Sequence, residues 1–214
     1  MTTDTLGLRE QKKLETRQLI SDQATRLFIE RGFEETTIAD IAHAARVAKK
    51  TVTNYFARKE DLALDHHEQF VASLANVVAS RAPGQSALAA LREAFLEAAR
   101  QQNPVAGFAG LPFTRMIEQS PTLVARLRDL HEQREQALAA VLRAETNAVD
   151  DDITPDAVGA QLGAAHRVLF QQIQRLTLEG LPGDEVAERV TASALRVFDL
   201  LHPSLGDYAI RPRP

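Results

Sequence analysis

The stretch TTIADIAHAARVAKKTVTNYF, residues 36–56, decides how the rest of the chain is interpreted. Thr37 and Asp40 have the spacing of a capping box, in which each side chain accepts a hydrogen bond from the other residue's backbone N–H at a helix start. A break near Arg46 precedes a second short segment with helical spacing, 49–56. Two short helices joined by a tight turn are the ingredients of a helix-turn-helix.

The same stretch contains almost no negative charge, although the protein is acidic. The 214 residues include 29 Asp and Glu against 25 Lys and Arg, yet no carboxylate occurs between Asp40 and Glu60. Five basic residues lie in that interval: Arg46, Lys49, Lys50, Arg58 and Lys59. Binding a polyanion requires local positive potential and does not require a basic whole protein. The charge pattern therefore favours nucleic acid as the partner.

The second short segment carries the side chains that a DNA major groove requires. A helix that enters this groove, about 12 Å wide, needs hydrogen-bonding side chains on its outer face and no carboxylate facing phosphate. The candidates are Lys49, Lys50, Thr51, Thr53 and Asn54. Val52 and Phe56 are predicted to point into the core. The alternative is a solvated basic helix that binds nothing.

Composition predicts an all-α protein. Ala and Leu are abundant and aromatic residues make up only 5%, which favours helix over strand. The absence of cysteine excludes disulfides and thiolate chemistry. No apolar run is long enough to span a bilayer, and the N-terminus lacks the apolar region of a signal peptide. We therefore expect a cytoplasmic protein with no membrane partner.

Helical periodicity divides the chain into three parts. Residues 9–58 are predicted to form a three-helix unit with its helix-turn-helix at about 37–56. Residues 59–202 are predicted to form a bundle of longer helices, the first running unbroken from 59 to about 81. Residues 203–214 form a Pro-rich tail that we expect to be loosely held.

Within the bundle, further helices are predicted at 87–102, from Pro121 for about 26 residues, at 156–179 and at 184–201. The Gly- and Pro-rich segment NPVAGFAGLPF, 103–113, is predicted to be broken. Apolar seams on the last two helices predict a four-helix interface between two copies. The seam residues are Val158, Leu162, Ala165, Leu169, Ile173, Leu176, Val186, Val190, Val197 and Leu201.

The stretch GFEETTIADIAHAARVAKKTVTNYFARKEDL, 32–62, resembles the TetR family of bacterial transcriptional regulators. The resemblance rests on ordered matches at Gly32, Phe33, Thr36, Thr37, Ile41, Ala42, Ala45, Val47, Thr51, Tyr55, Phe56, Lys59, Glu60 and Leu62. It implies that Thr37, Tyr55 and Lys59 contact phosphates. It also implies that the helix starting at Lys49 enters the groove.

This chain departs from the family pattern at four positions. Arg46 occupies the turn position that is usually glycine, and we include it among the DNA contacts. Ala48 replaces the usual serine cap. Lys50 replaces a small residue, and Thr53 stands where an aromatic residue is common. The last two alter the groove-facing surface, so the operator sequence cannot be taken from a relative.

The resemblance implies a homodimeric regulator in which 9–58 binds a double-stranded DNA operator and 59–202 binds a small molecule and dimerises. We favour a repressor released from a palindromic operator by its effector. The motif TVTNYF-x-x-KEDL is similar to that of relatives that respond to acyl-CoA-like or other lipophilic ligands. The alternative is a helical interaction protein with a degenerate helix-turn-helix that does not bind DNA.

The bundle has side chains suited to an effector pocket. The candidates are Phe70, Leu74, Phe95, Phe108, Phe113, Met116 and Phe170, with His131, Arg134 and His166 as polar contacts. The alternative is that the apolar residues are plain core and the polar residues are surface.

No enzyme, cofactor or metal site is predicted. Adjacent His66 and His67 would diverge by about 100° on a helix and could not easily share an ion. The chain has no Gly-rich phosphate loop, nucleophile elbow or zinc-protease helix.

Overall fold

The computed structural model describes residues 7–213, which form ten α-helices and one short 3-10 turn, Pro104–Ala106. The helices are α1 (Leu8–Arg31), α2 (Ile38–Ala44), α3 (Lys49–Tyr55), α4 (Lys59–Ala63), α5 (His67–Ser80), α6 (Ala87–Arg100), α7 (Leu111–Gln119), α8 (Pro121–Thr146), α9 (Thr154–Leu178) and α10 (Gly183–Leu205). No strand occurs within 7–213, which confirms the all-α prediction. Within the same range, no helix combines the length and apolar character that crossing a membrane requires.

The described helices group into two compact units. The first comprises the described residues up to Asp65 together with Met116–Val124, and the second comprises His66–Arg115 and the described residues from Ala125 onward. The Ser120 hydroxyl helps to hold the later segment in the first unit, because it donates to the Glu34 carboxylate at 2.6 Å. The first unit thus extends past residue 58 and includes a segment from much later in the sequence.

The first unit follows the local sequence signals closely. Its core includes the predicted stripe of α1, namely Ile20, Ala24, Leu27 and Phe28, all buried. α1 ends at Gly32, whose φ of 91° suits a residue without a Cβ. The predicted capping box of α2 is present. Val52 and Phe56 are buried, as expected for the inner face of α3.

The predicted unbroken helix from 59 to about 81 is wrong. α4 ends at Ala63, and α5 begins only at His67, because Leu64 leaves helical geometry with φ −112° and ψ 53°. Tertiary contacts stabilise this break: Leu62 and Ala63 are buried, and Ser21 on α1 donates to the Asp65 carboxylate at 2.5 Å. Because Ser21 and Asp65 are 44 residues apart in sequence, the local pattern of apolar residues does not predict this hydrogen bond or the helix break.

The broken segment is shorter than predicted. Gly107 and Gly110 have φ values of 120° and 79°, which confirms the irregular backbone up to this point. α7 then starts at Leu111 and was missed, because Pro112 suggested a breaker. At the second position of a helix its missing N–H costs nothing. α8 starts as predicted, with Leu123 N–H donating to the Ser120 hydroxyl at 3.2 Å.

The apolar seams of α9 and α10 do not form the predicted interface between copies. Seam residues from Val158 through Val190 are buried within the second unit, and Val197 and Leu201 are partly buried against its core. α10 packs on α6 and α9 of the same chain. The apolar seams therefore belong to the core of a single copy.

The prediction of a loosely held tail is also wrong for the described residues. α10 continues through Pro203 to Leu205. Beyond it, Arg211 exchanges backbone hydrogen bonds with the 84–85 turn: Gly84 N–H donates to Arg211 C=O at 2.8 Å, and Arg211 N–H donates to Gln85 C=O at 3.0 Å. The proline content of the tail suggested a loosely held segment, but backbone hydrogen bonds to the distant 84–85 turn hold it in place.

Candidate nucleic-acid interface and effector cavity

The turn between α2 and α3 is built around Arg46. Its φ is 55°, so it takes the left-handed conformation that the family pattern assigns to glycine. Val47 N–H donates to Ala42 C=O at 3.0 Å, which closes the turn onto the end of α2. The helix-turn-helix therefore forms without glycine, at a cost of about 1–2 kcal/mol for the strained backbone.

α3 presents its polar side chains outward. Lys49, Lys50, Thr53 and Asn54 are exposed and Thr51 is half-buried, whereas Val52 is inaccessible. The Thr53 hydroxyl donates to Lys50 C=O at 3.1 Å, so its donor is used within the helix. Ala48 caps α3 without a side-chain hydrogen bond. The two lysines and the positive end of the helix dipole favour an anion at this end of α3.

Thr37 is engaged in the capping box of α2. Its hydroxyl accepts from Asp40 N–H at 3.2 Å, and its own N–H donates to the Asp40 carboxylate at 2.9 Å. The hydrogen bonds from Thr37 hold the pKa of Asp40 below its usual range. A phosphate at this position would meet a hydroxyl that already has partners, close to a carboxylate.

Two cations fix the ends of the α3 region by lying on aromatic rings. Arg17 on α1 donates to Tyr55 C=O at 3.0 Å, and its guanidinium lies 4.4 Å from the Phe56 ring centroid. Lys59 Nζ lies 4.3 Å from the Phe33 ring centroid and donates to a backbone carbonyl at 3.3 Å. Lys59 thus has a structural role beside its predicted phosphate contact.

Sequence reasoning missed a basic group on α1. Arg9, Lys12 and Lys13 line a surface groove together with Asn54 and Tyr55 of α3. All three cations are exposed. Their i, i+3, i+4 spacing at the start of α1 was a usable signal, because it places them on one helix face.

In the second unit, a cluster of three aromatic rings lies beside the buried guanidinium of Arg134. The rings of Phe70, His131 and Phe170 meet edge-to-face, with centroids 5.0 to 5.8 Å apart. The Arg134 guanidinium lies 4.5 Å from the Phe70 centroid, and Arg134 Nε donates to the Ser73 hydroxyl at 2.9 Å. The polar residues predicted for the pocket are therefore interior residues, not surface.

Arg134 lines a cavity of about 190 Å³ that lies entirely within the second unit. The lining residues are Ser73, Leu74, Val77, Leu91, Ala94, Phe95, Ala98, Asn103, Val105, Ala106, Arg134 and His166. Four of the ten predicted pocket residues are in this set. The 3-10 turn supplies one wall, so part of the irregular segment does border the cavity.

The other six predicted pocket residues do not line this cavity. Phe70, His131 and Phe170 form the aromatic cluster behind Arg134. Phe108 packs half-buried against the core, and Phe113 is half-buried on α7. Met116 is buried in the segment that belongs to the first unit.

Among the described residues that line the cavity, Arg134 is the charged one. Burial lowers the pKa of Arg134 to about 10, which leaves the guanidinium charged at neutral pH. Burial, together with the nearby Arg134 and Arg167 charges, lowers the pKa of His131 to about 3. Burial and Arg134 also hold the pKa of His166 well below its ordinary value. Both imidazoles are therefore neutral at pH 7.

Comparisons with known proteins agree with this architecture. The family of bacterial regulatory proteins, tetR family, matches residues 20–65. The HTH-type transcriptional regulator TcmR of Streptomyces glaucescens is 31% identical over 206 residues, which cover 93% of this chain and 88% of TcmR.

Two solved structures share the fold at low sequence identity. Salmonella enterica GusR has a TM-score of 0.57 at 17% identity, covering 90% of this chain and 96% of its own. NalD of Pseudomonas aeruginosa, the secondary repressor of the MexAB-OprM multidrug efflux pump, has a TM-score of 0.54 at 20% identity, covering 87% and 97%. With the helix-turn-helix in place and the match to TcmR running along nearly the whole chain, this protein belongs to the TetR family of bacterial transcriptional regulators, whose members bind DNA through that motif.

Proposed function

We propose that the protein is a ligand-responsive repressor. A homodimer binds a pseudo-palindromic operator through α3 and releases it when a small molecule occupies the cavity of the second unit. The observation that carries this proposal is that cavity, a partly open pocket of about 190 Å³ lined by apolar side chains and a few polar groups. NalD, which shares the fold, is a repressor, so repression is the mode of regulation to test first. Because the proposed operator is DNA, we expect the protein to be located in the cytoplasm.

The proposed DNA contacts are the residues predicted from sequence together with the basic group on α1. The set is Arg9, Lys12, Lys13, Thr37, Arg46, Lys49, Lys50, Thr51, Thr53, Asn54, Tyr55 and Lys59. The exposure of Lys49 and Lys50 at the start of α3 supports phosphate or guanine contacts there. Thr53 has its hydroxyl proton committed, so it offers a base edge its methyl group and an acceptor oxygen.

The proposed dimer interface is the outer face of α9 and α10. Val168 and Leu195 are 56% and 37% exposed, although both are apolar and lie on helices whose other faces are core. Gln172 donates to the Ser193 hydroxyl at 3.0 Å, which ties these two helices side by side. Two such pairs related by a two-fold axis would bury this face.

The cavity size bears on the effector. About 190 Å³ is below the roughly 300–1,000 Å³ that encloses a drug-sized ligand. A compact lipophilic molecule fits better than a whole acyl-CoA, of which only the acyl end could enter.

The test is selection of bound sequences from random duplex DNA, followed by anisotropy titration of the selected duplex at several salt concentrations. We expect a pseudo-palindrome bound with an affinity that falls steeply with salt. Addition of the effector, found by mass spectrometry of material that copurifies, should release the duplex. Failure to enrich any sequence, with no salt-dependent duplex binding, would instead support a helical interaction protein that does not bind DNA.

A further inference from the structure

We propose that the cavity of the second unit recognises a small carboxylate with a compact apolar body, and that Arg134 is the residue that binds its carboxylate group. His166 supplies a second polar contact. This inference rests on the proposed function, since it names the chemical class of the effector.

Arg134 is a buried cation without a counter-ion. Only 7% of the residue is exposed. Among residues 7–213, no carboxylate forms an ion pair with it, and its hydrogen bonding is confined to Nε and the Ser73 hydroxyl. A buried charge ordinarily has a paired partner, because removing it from water is costly. The terminal guanidinium nitrogens are thus left for a ligand.

The geometry of Arg134 suits a carboxylate. The Ser73 hydroxyl and the Phe70 ring hold the guanidinium plane from its Nε edge and from one face. The planar guanidinium can donate two parallel hydrogen bonds to the two oxygens of a carboxylate. Because the side chain is already fixed, little conformational entropy is lost on binding.

His166 provides an independent sign of a missing ligand. It is 4% exposed, and its Nε2 has no hydrogen-bond partner among the described residues. The rings of Phe95 and Phe198 lie edge-to-face with it, each centroid 5.6 Å away, and fix its plane. Buried polar atoms without a partner are uncommon in proteins. A neutral imidazole can donate one N–H to an acidic oxygen.

The charge of the cavity selects a monoanion. Neither Asp nor Glu is among the described residues that line it, and Arg134 is its sole charged group. One positive charge matches one carboxylate, whereas a phosphate dianion would leave a negative charge buried and unpaired. The remaining walls are mostly apolar, through residues such as Leu74, Leu91 and Phe95. The other walls of the cavity therefore offer apolar surface for the body of the acid.

The experiment is calorimetric titration of the full-length protein, without DNA, with benzoate, phenylacetate and octanoate. Each acid is compared with its primary amide, which has the same shape and no charge. We expect at least one acid to bind at least tenfold more tightly than its amide. Arg134→Met should abolish that preference while amide binding persists, and Arg134→Lys should retain part of it. Arg167→Met is the matched control, because Arg167 pairs with Glu135 and does not line the cavity.

Several outcomes would overturn the carboxylate site. One is that the wild-type protein binds no acid better than its amide, a result that does not depend on how any variant folds. Another is an acid preference that survives in Arg134→Met. If acids bind through Arg134 but leave operator affinity unchanged, the carboxylate site stands and the ligand-responsive function fails. If a neutral compound releases the operator and no acid binds, the function stands and the carboxylate site fails.

Discussion

Arg46 holds the turn of the helix-turn-helix in a conformation that favours glycine. A left-handed residue with a Cβ costs about 1–2 kcal/mol, whereas glycine costs about 0.5–1 kcal/mol of extra chain entropy. Arg46→Gly should therefore raise the free energy of unfolding by up to about 1 kcal/mol in urea titration. The same change removes a cation from the proposed DNA-contacting surface and should weaken operator binding. A loss of stability would show that the Arg46 side chain makes contacts that outweigh the strain.

Lys50 is exposed at the start of α3, the end that we propose faces the DNA groove. If it neutralises one phosphate, Lys50→Ala should reduce the slope of log K against log salt by about one. Arg100→Ala is the control, because Arg100 is exposed on α6 and pairs with Glu97 far along the sequence from the DNA contacts. Equal slopes for wild-type protein and Lys50→Ala would exclude the phosphate contact.

His131 makes stability depend on pH. In the unfolded chain it takes up a proton below about pH 6.5, whereas the folded protein keeps it neutral down to about pH 3, because burial lowers its pKa. The unfolded state then binds more protons, so the free energy of unfolding should fall as the pH falls through this window, by about 1.4 kcal/mol per pH unit. His131→Phe should reduce this dependence in chemical unfolding at pH 7.5 and 5.5 and leave the contribution of His166, whose pKa is also lowered by burial. An exposed histidine, His202, provides the control substitution His202→Asn.

At the scale of elements, Arg81 joins the end of α5 to the tail. Its side chain is 1% exposed, forms an ion pair with Glu145 at 3.0 Å and donates to Ala209 C=O at 2.8 Å. Arg81→Met would leave the partly buried Ala209 carbonyl without this donor and the half-buried Glu145 carboxylate without its cation. We expect a loss of about 3 kcal/mol in the free energy of unfolding. Arg92→Ala should cost less than about 1 kcal/mol, since its ion pair with Asp199 is solvent-exposed.

The break between α4 and α5 bears on which helix could couple ligand binding to DNA binding. One continuous helix from Lys59 would have been a rigid lever, but the chain leaves helical geometry at Leu64. α8 is one unbroken helix with residues in both units. Its first residues, up to Val124, group with the first unit, and Arg134 lies further along the same helix. The element that carries the proposed ligand contact thus begins among the residues that pack with the helix-turn-helix unit.

At the scale of the whole molecule, the proposed function requires two copies, because a single α3 would read too few base pairs to mark one site in a genome. Val168→Asp and Leu195→Asp should each shift the mass in sedimentation toward the monomer, since each places a carboxylate in the proposed α9–α10 interface. Ile153→Asp is the matched control, because Ile153 is 76% exposed just before α9. If both interface variants keep the dimer mass, the dimer forms through another surface.

The sequence by itself determined the elements whose signals are local. The capping box of α2, the apolar stripe of α1, the start of α8 at Ser120 and the carboxylate-free interval around α3 all depend on residues a few positions apart. Their hydrogen bonds and charge patterns are set within one or two helical turns, so periodicity and residue type suffice to predict them.

Only the tertiary structure decided the features that join distant parts of the chain. Ser21 meets Asp65 just after α4, Arg81 meets Ala209 in the tail, and most seam residues of α9 and α10 are buried in the core of their own unit. The proposed effector cavity is of the same kind, because Arg134 on α8 and His166 on α9 border one space. A pattern shows that a residue is apolar or charged, but which surface covers it depends on packing among segments far apart in sequence.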